Sequence, residues 1–160
     1  MFVISPLLGI IVFIVALIIS MVFFNSFTED INLEDYFTEE ELRILQSDEE
    51  VDDEEYLVLL AKFQSYECPV KVDQITTLTS SEVTKDSFIY NYEINDRWRR
   101  YGDIDMSVVK SNIMAQIDKT NYNVQRIVAT NRNIIFRYRN YRTGTVEDVI
   151  VLNEELKSIV

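Results

Sequence analysis

The feature that most restricts this chain is an uncharged stretch of 23 residues, from Phe2 to Phe24, in a sequence of 160 residues. At about 1.5 Å per residue, a helix of this length spans the roughly 30 Å hydrocarbon core of a bilayer. A cleaved signal peptide is the alternative, but it would have a basic start, a shorter apolar run and small residues at its cleavage site. We therefore expect residues 1–25 to form a retained single-pass transmembrane anchor, with the lipid bilayer contacting residues 2–24.

The orientation of this anchor is not set by nearby charges. The first basic residue of the chain is Arg43, so the positive-inside rule does not apply at either end of the stretch. In a bacterial cell the simplest arrangement places the short N-terminus inside and everything after the anchor outside. We expect a soluble domain on the extracytoplasmic side.

Small residues follow one side of the predicted anchor helix, at Ser5, Gly9, Ala16 and Ser20. Their spacings of four, seven and four residues bring them onto one stripe at 3.6 residues per turn. Such stripes let membrane helices approach closely, so this one predicts self-association through the anchor. A chance alignment is the alternative, because small residues are common in membrane helices.

The negative charge of the chain is concentrated next to the anchor. Residues 25–55 hold 14 acidic residues and one arginine, a net charge of −13, whereas residues 56–160 hold 13 acidic and 14 basic residues, a net charge of +1. Anionic lipid head groups repel such a segment, and phosphate backbones require a basic surface. We interpret residues 26–55 as an acidic juxtamembrane segment that keeps the domain away from the bilayer, and we expect no nucleic-acid partner.

Two capping boxes indicate that this acidic segment is partly helical. Thr38 and Ser47 are each followed three residues later by a glutamate, Glu41 and Glu50, which is typical of a helix start. The first helix is predicted over residues 39–46 and the second over about 48–65. The second has an apolar side made of Tyr56, Leu59, Leu60 and Phe63, which predicts burial.

Residues 56–160 are predicted to form one soluble α+β domain. Cys68-Pro69 should end the second helix, since the residue before proline avoids the α region. Strands are expected over Val70–Val83, Ser87–Ile94, around Ile134–Tyr138 and over Val146–Leu152, with a helix from Asp103 or Asp105 to about Lys119 and a short helix from Asn153. The expected fold is a mainly antiparallel four-stranded sheet of two hairpins with packing helices, in the order ααββαββ.

One segment of this domain resembles a known group of sequences. Residues 68–80 read CPVKVDQITTLTS, and residues 88–94 read FIYNYEI. This pattern is similar to small uncharacterised secreted or membrane-anchored bacterial domains with a CPxxVDxxTTLTS segment before a YxY strand. The resemblance covers roughly residues 68–152 and implies a location and a fold class, with no activity attached.

No catalytic or cofactor constellation is present in the sequence. There is no histidine and there are only three glycines, which removes His-dependent nucleophiles, His-ligated metal and glycine-rich phosphate loops. A carboxylate-dependent hydrolase built from Asp73, Glu93, Asp96, Asp103 and Asp105 stays open as an alternative. We expect no enzyme activity, no cofactor and no metal site. The single cysteine, Cys68, is either structural or paired with another chain.

Basic and aromatic residues form two clusters, which are the candidate partner-binding residues. They are Arg97, Trp98, Arg99, Arg100 and Tyr101 after the second strand, and Arg137, Tyr138, Arg139, Tyr141 and Arg142 at the second hairpin. Arginine and aromatic side chains dominate protein interfaces. The alternative is that the arginines keep strand edges soluble and Trp98 closes the core.

These observations predict a non-enzymatic, membrane-tethered protein-interaction module that binds an unidentified protein partner. The first alternative is a structural subunit of a membrane complex that acts through its anchor helix. The hydrolase is the second alternative. Because the acidic segment is tethered to a domain with clustered arginines, we also expect these two regions to attract each other.

Overall fold

A computed structural model of the protein describes residues 33–46, 51–95, 105–118 and 120–159. The helices in these ranges are a 3₁₀-helix (Leu33–Asp35), α1 (Glu39–Gln46), α2 (Asp53–Glu67), α3 (Met106–Gln116), α4 (Tyr122–Ala129) and α5 (Asn153–Ile159). The strands are β1 (Val70–Lys71), β2 (Thr76–Val83), β3 (Ser87–Ile94), β4 (Asn133–Asn140) and β5 (Val146–Val151). The predicted α+β class is confirmed.

The predicted anchor, with its stripe of small residues, lies outside the described residues. Among the helices that the structure does describe, none has the length and apolar character needed to cross a membrane.

The sheet has five strands in the order β1-β2-β3-β4-β5. The two predicted hairpins, β2–β3 and β4–β5, are antiparallel, but β3 and β4 run parallel, with Phe88 beside Ile134 and Ile94 beside Asn140. The expected four-stranded, mainly antiparallel sheet is therefore partly wrong. Parallel neighbours require a crossover connection, and residues 95–132 provide it with α3 and α4.

Two local hydrogen-bond patterns account for elements that the sequence analysis missed. The Asp73 carboxylate accepts from the backbone N–H groups of Ile75 and Thr76, at 2.6 and 2.7 Å. This turn divides the predicted strand Val70–Val83 into β1 and β2. Helix α4 was not predicted, and it begins after Asn121, whose side-chain oxygen accepts from the backbone N–H groups of Asn123 and Val124 in the first turn of the helix.

Of the two helices predicted for the acidic segment, α1 begins where it was predicted and α2 does not. At α1, Thr38 N–H donates to Glu41 at 2.8 Å and Glu41 N–H donates to Thr38 at 3.2 Å, which confirms the first capping box. Helix α2 begins later than expected, at Asp53, because Asp52 is its N-cap. The expected second box at Ser47 lies outside the described residues.

All described helices pack against one face of the sheet. The buried strand residues on that face include Phe88 and Phe136, and they form a single cluster with buried residues of every α-helix. The predicted apolar side of α2 is buried in this cluster. Phe37 and Ile44 also belong to it, so the core includes residues of the acidic segment.

The crossover helix α4 should be essential for this core. Ile127 of α4 is almost fully buried, so Ile127→Ala should lower the free energy of unfolding by about 2–5 kcal/mol through lost packing and a cavity. Val108→Ala, at an exposed position of α3, should change it by less than about 0.5 kcal/mol. Urea unfolding of the full-length chain followed by circular dichroism measures both. Similar values for the two variants would contradict the packing of α4.

Candidate interaction surface

The outer face of the sheet is the face that points away from the helices. On β4, Phe136 and Tyr138 are buried toward the helices, while the residues between them point the opposite way because side chains alternate along a strand. The outer-face residues of β4 are Asn133, Ile135, Arg137 and Arg139. On β5, Ile150 is the register neighbour of Ile135, Asp148 of Arg137, and Val146 of Arg139.

Three isoleucines form a continuous row across this face. Ile89, Ile135 and Ile150 are register neighbours on β3, β4 and β5. Ile89 is only 5% exposed although it lies outside the core cluster, whereas Ile150 is 41% exposed. The apolar row therefore becomes more accessible toward β5.

An ion-pair network lies beside this row. The Arg137 guanidinium donates two hydrogen bonds to the Asp148 carboxylate, both at 2.9 Å, and its Nη1 lies 3.7 Å from Glu82 Oε1. The hydrogen bonds from Arg137 to Asp148 raise the pKa of Arg137 above its ordinary value. Asn91 extends the network by donating to Ser80 and Glu82, at 3.0 and 3.3 Å. The charge of Arg137 is thus compensated within the sheet.

The predicted partner-binding residues divide into four groups, the first of which is Arg137, held in the ion-pair network. Residues 97–101 lie outside the described residues. Arg139, Tyr141 and Arg142 are exposed, and Tyr141 is 71% exposed. Tyr138 is buried and stacks on Tyr92, with ring centroids 5.2 Å apart, so it belongs to the core and not to the surface.

The parallel register brings the ends of β3 and β4 together. Tyr141 N–H donates to the carbonyl oxygen of Ile94 at 2.9 Å. The last residues of these two strands, Ile94 and Asn140, therefore lie side by side at one end of the sheet. The turn after β4 is held by Asn140, which accepts from the backbone N–H groups of Arg142 and Thr143, and Gly144 has the positive φ of 70° that the turn requires.

Arg126 is a buried arginine that the sequence analysis did not single out. Its guanidinium lies over the rings of both Tyr56 and Tyr122, 4.5 and 4.4 Å from their centroids, which is cation–π geometry. It also donates to Asp53 Oδ1 at 2.7 Å and to the carbonyl oxygen of Val51 at 2.9 Å. These contacts fasten the start of α2 to α4.

Arg132 makes a second buried connection to the same turn of α2. It donates from Nε to the carbonyl oxygen of Thr84 at 2.8 Å, and its two terminal nitrogens bind both oxygens of Glu54. The hydrogen bonds from Arg132 lower the pKa of Glu54 below its ordinary value of 4.5. Acids of the predicted acidic segment therefore do pair with arginines, but with Arg126 and Arg132, outside the predicted clusters.

Two of the acids proposed for a hydrolase have structural roles, and a third, Glu93, lies on the outer face of β3 beside Arg139. Asp73 forms the β1–β2 turn, and Asp105 caps α3 by accepting from Ser107 N–H at 2.9 Å. Asp96 and Asp103 lie outside the described residues. Within the described ranges, no group of three or more Asp, Glu or Cys side chains could hold a metal ion.

Cys68 is half-buried at the C-cap of α2. Burial raises the pKa of its thiol to about 11, and the Glu67 carboxylate adds to this increase. The side chain is therefore a neutral thiol near pH 7, which is a poor nucleophile.

Two solved structures resemble this chain. A presumed secreted protein from Pseudomonas aeruginosa is 14% identical, has a TM-score of 0.51, and the likeness covers 62% of this chain and 88% of that chain. The pilotin EpsS of the Vibrio vulnificus type 2 secretion system is 15% identical, has a TM-score of 0.49, and the likeness covers 65% of this chain and 94% of that chain. At this identity, the likeness to the Pseudomonas protein concerns the fold alone. No protein-family model and no curated protein matches the chain.

The Arg132–Glu54 pair should make stability depend on acid pH. Because the pKa of folded Glu54 lies below 4.5, its contribution is fully present above about pH 4.5 and is lost as the pH falls through the lowered value. Glu54→Gln should therefore reduce the free energy of unfolding at pH 7, and the deficit should shrink well below pH 4.5. Glu55→Gln, in the same turn, is the matched control. Equal losses in the two variants, measured by urea unfolding, would contradict a specific role for this pair.

Proposed function

We propose that this chain is a non-enzymatic, membrane-tethered protein-interaction module whose outer face binds a protein partner. The observation that carries the proposal is the one-sided packing of the described helices. They cover one face of the sheet, and the opposite face bears the isoleucine row and the Arg137 network.

The composition of this face supports a protein partner. Ile150 and Val146 are exposed apolar residues on β5, and Tyr141 is exposed just beyond β4. Interfaces typically combine an apolar centre with a polar rim, and tyrosine and arginine are frequent among the residues that contribute most to binding. Arg139, between the apolar residues and the β4–β5 turn, is of this type.

The proposed surface also includes most of the predicted partner-binding residues. The chain leaves β3 at Ile94, beside the point where β4 ends, and residues 97–101 follow after two further residues. We propose that Arg97, Trp98, Arg99, Arg100 and Tyr101 contribute to the same binding region as Arg139, Tyr141 and Arg142. Tyr138 is excluded from it because it is buried.

The membrane tether is the second part of the proposal. The uncharged stretch at residues 2–24 has the length of a membrane-spanning helix, and residues 26–55 carry the concentrated negative charge. We propose that the anchor holds the domain at the extracytoplasmic surface of a membrane, where its outer face meets the partner.

Site-specific photo-crosslinking tests the binding face. A benzophenone side chain placed at Arg139 or Ile150 in the full-length chain should crosslink one discrete partner in the native membrane. The same group at Val58, an exposed apolar position on α2, or at Glu154 on α5 should not, because both positions lie on the helical side. Adducts of equal yield at all four positions would contradict a binding role for the outer face.

Thiol labelling in intact cells tests the location. Glu154→Cys introduces an exposed thiol, whereas the native thiol of Cys68 is half-buried. A membrane-impermeant maleimide should label this variant in intact cells well above the unmodified chain, if the domain is extracytoplasmic. Labelling that requires cell lysis would place the domain on the cytoplasmic side.

A further inference from the structure

Strand β5 is the last strand of the sheet and pairs with β4. Along a strand of an antiparallel pair, the backbone N–H and C=O groups of one residue bond to the neighbouring strand, and those of the next residue point away from it. Asn140 N–H donates to the Thr145 carbonyl oxygen at 2.8 Å, which sets the phase of this alternation. The backbone groups of Val146, Asp148 and Ile150 therefore point away from β4. Within the described parts of the chain, they receive no hydrogen bond from another element.

The same three residues present their side chains on the outer face. Val146 and Ile150 lie on either side of Asp148, and they are 51% and 41% exposed. Native edge strands are usually protected by charged side chains, especially lysine, or by proline, a bulge or a covering element. The sequence of β5, VEDVIV, has two acidic residues, Glu147 and Asp148, but no proline or lysine, and its register with β4 is regular throughout. This edge is suited to receive another strand.

A second copy of the chain is a poor occupant of this edge. An antiparallel pairing of two β5 strands that uses all three outward-facing residues is centred on Asp148. It places Asp148 of one copy directly opposite Asp148 of the other, and like charges directly opposite each other destabilise a strand pair. Asp148 thus acts against self-pairing.

The charge around the edge favours a cationic occupant. The charged residues of the outer face and of β5 are Lys71, Glu82, Glu93, Arg137, Arg139, Glu147 and Asp148. Four acids and three basic residues give this region a net charge of −1. A basic side chain placed opposite Asp148 would lower this imbalance, whereas an acidic one would increase it.

We propose that the β5 edge binds an extended segment of a partner protein as a sixth, antiparallel strand. The segment has the pattern apolar–x–basic–x–apolar, with its basic residue opposite Asp148 and its apolar residues opposite Ile150 and Val146. The main-chain hydrogen bonds provide affinity, and the alternate side chains provide specificity, as in other cases of strand addition. This inference rests on the proposed function, since it names the kind of segment that the outer face receives.

Two fluorescent peptides test the charge requirement. The peptide TVTKTVT has the proposed pattern, and TVTETVT differs only in its central charge. Fluorescence anisotropy with the full-length chain in nonionic detergent should give affinities that differ by about two- to fivefold in favour of the lysine peptide, the scale of an exposed ion pair. Asp148→Lys should reverse this preference. Glu154→Lys, an exposed change of equal charge on α5, should leave it unchanged.

N-methylation of the peptide tests strand pairing separately from charge. In the proposed register, the N–H of the central lysine faces β5, whereas the N–H of the next threonine faces away. Methylation at the lysine should weaken binding by about tenfold, because it removes a hydrogen bond and introduces a clash. Methylation at the threonine should have little effect.

Three results would overturn the inference. They are equal affinities for the two peptides, equal effects of the two methylations, and a light-scattering mass showing a dimer that Asp148→Lys dissociates. The last would make a second copy the occupant. Photo-crosslinking at Arg139 and Ile150 distinguishes a failure of strand addition from a failure of the proposed function. If the peptide tests fail but a discrete partner is captured at these positions, the outer face is still the binding surface and only the strand-addition geometry is wrong.

Discussion

The parallel pairing of β3 and β4 is the constraint on which the rest of this structure depends. Two parallel neighbours cannot be joined by a tight turn, so the chain must cross from one end of the sheet to the other. Residues 95–132 make this crossing and contribute α3 and α4 to the helical layer. The same pairing places Ile94 beside Asn140, so the ends of β3 and β4 lie together at one end of the sheet. One pairing therefore determines which helices the crossover adds to the covered face and which two strand ends are neighbours.

The acidic segment has a structural role besides any effect of its charge at a membrane. Asp53 and Glu54 bind Arg126 and Arg132, which are both buried. A buried guanidinium without such partners would have a large desolvation cost, whereas a paired and hydrogen-bonded one is tolerated. The acids at the start of α2 therefore compensate the charge of two arginines of the domain and also interact favourably with the positive end of the helix dipole. In the described residues, part of the concentrated negative charge is thus paired with buried arginines of the domain.

The outer face combines apolar exposure with compensated charge. Arg137 is held by Asp148 and Glu82, so it is not a free cation waiting for an anionic partner. The exposed apolar residues lie toward β5, where the backbone groups also point outward. This arrangement is better suited to a protein segment that brings its own backbone hydrogen bonds than to a small anion.

Local patterns in the sequence determined much of the secondary structure. The capping box at Thr38, the end of α2 at Cys68-Pro69, the cap at Asp105 and the two hairpins follow from interactions within a few residues, so they could be predicted. Helix α4 and the division of Val70–Val83 depend on Asn121 and Asp73, whose turn-forming bonds compete with other uses of the same side chains. Only the tertiary structure decided that β3 and β4 are parallel, that Tyr138 is buried while Arg139 is exposed, and which acids meet Arg126 and Arg132. These outcomes depend on contacts between residues far apart in the chain. The parallel strands pair residues 46 positions apart, and Asp53 with Arg126 and Glu54 with Arg132 are 73 and 78 positions apart. No local periodicity encodes which distant side chains will meet.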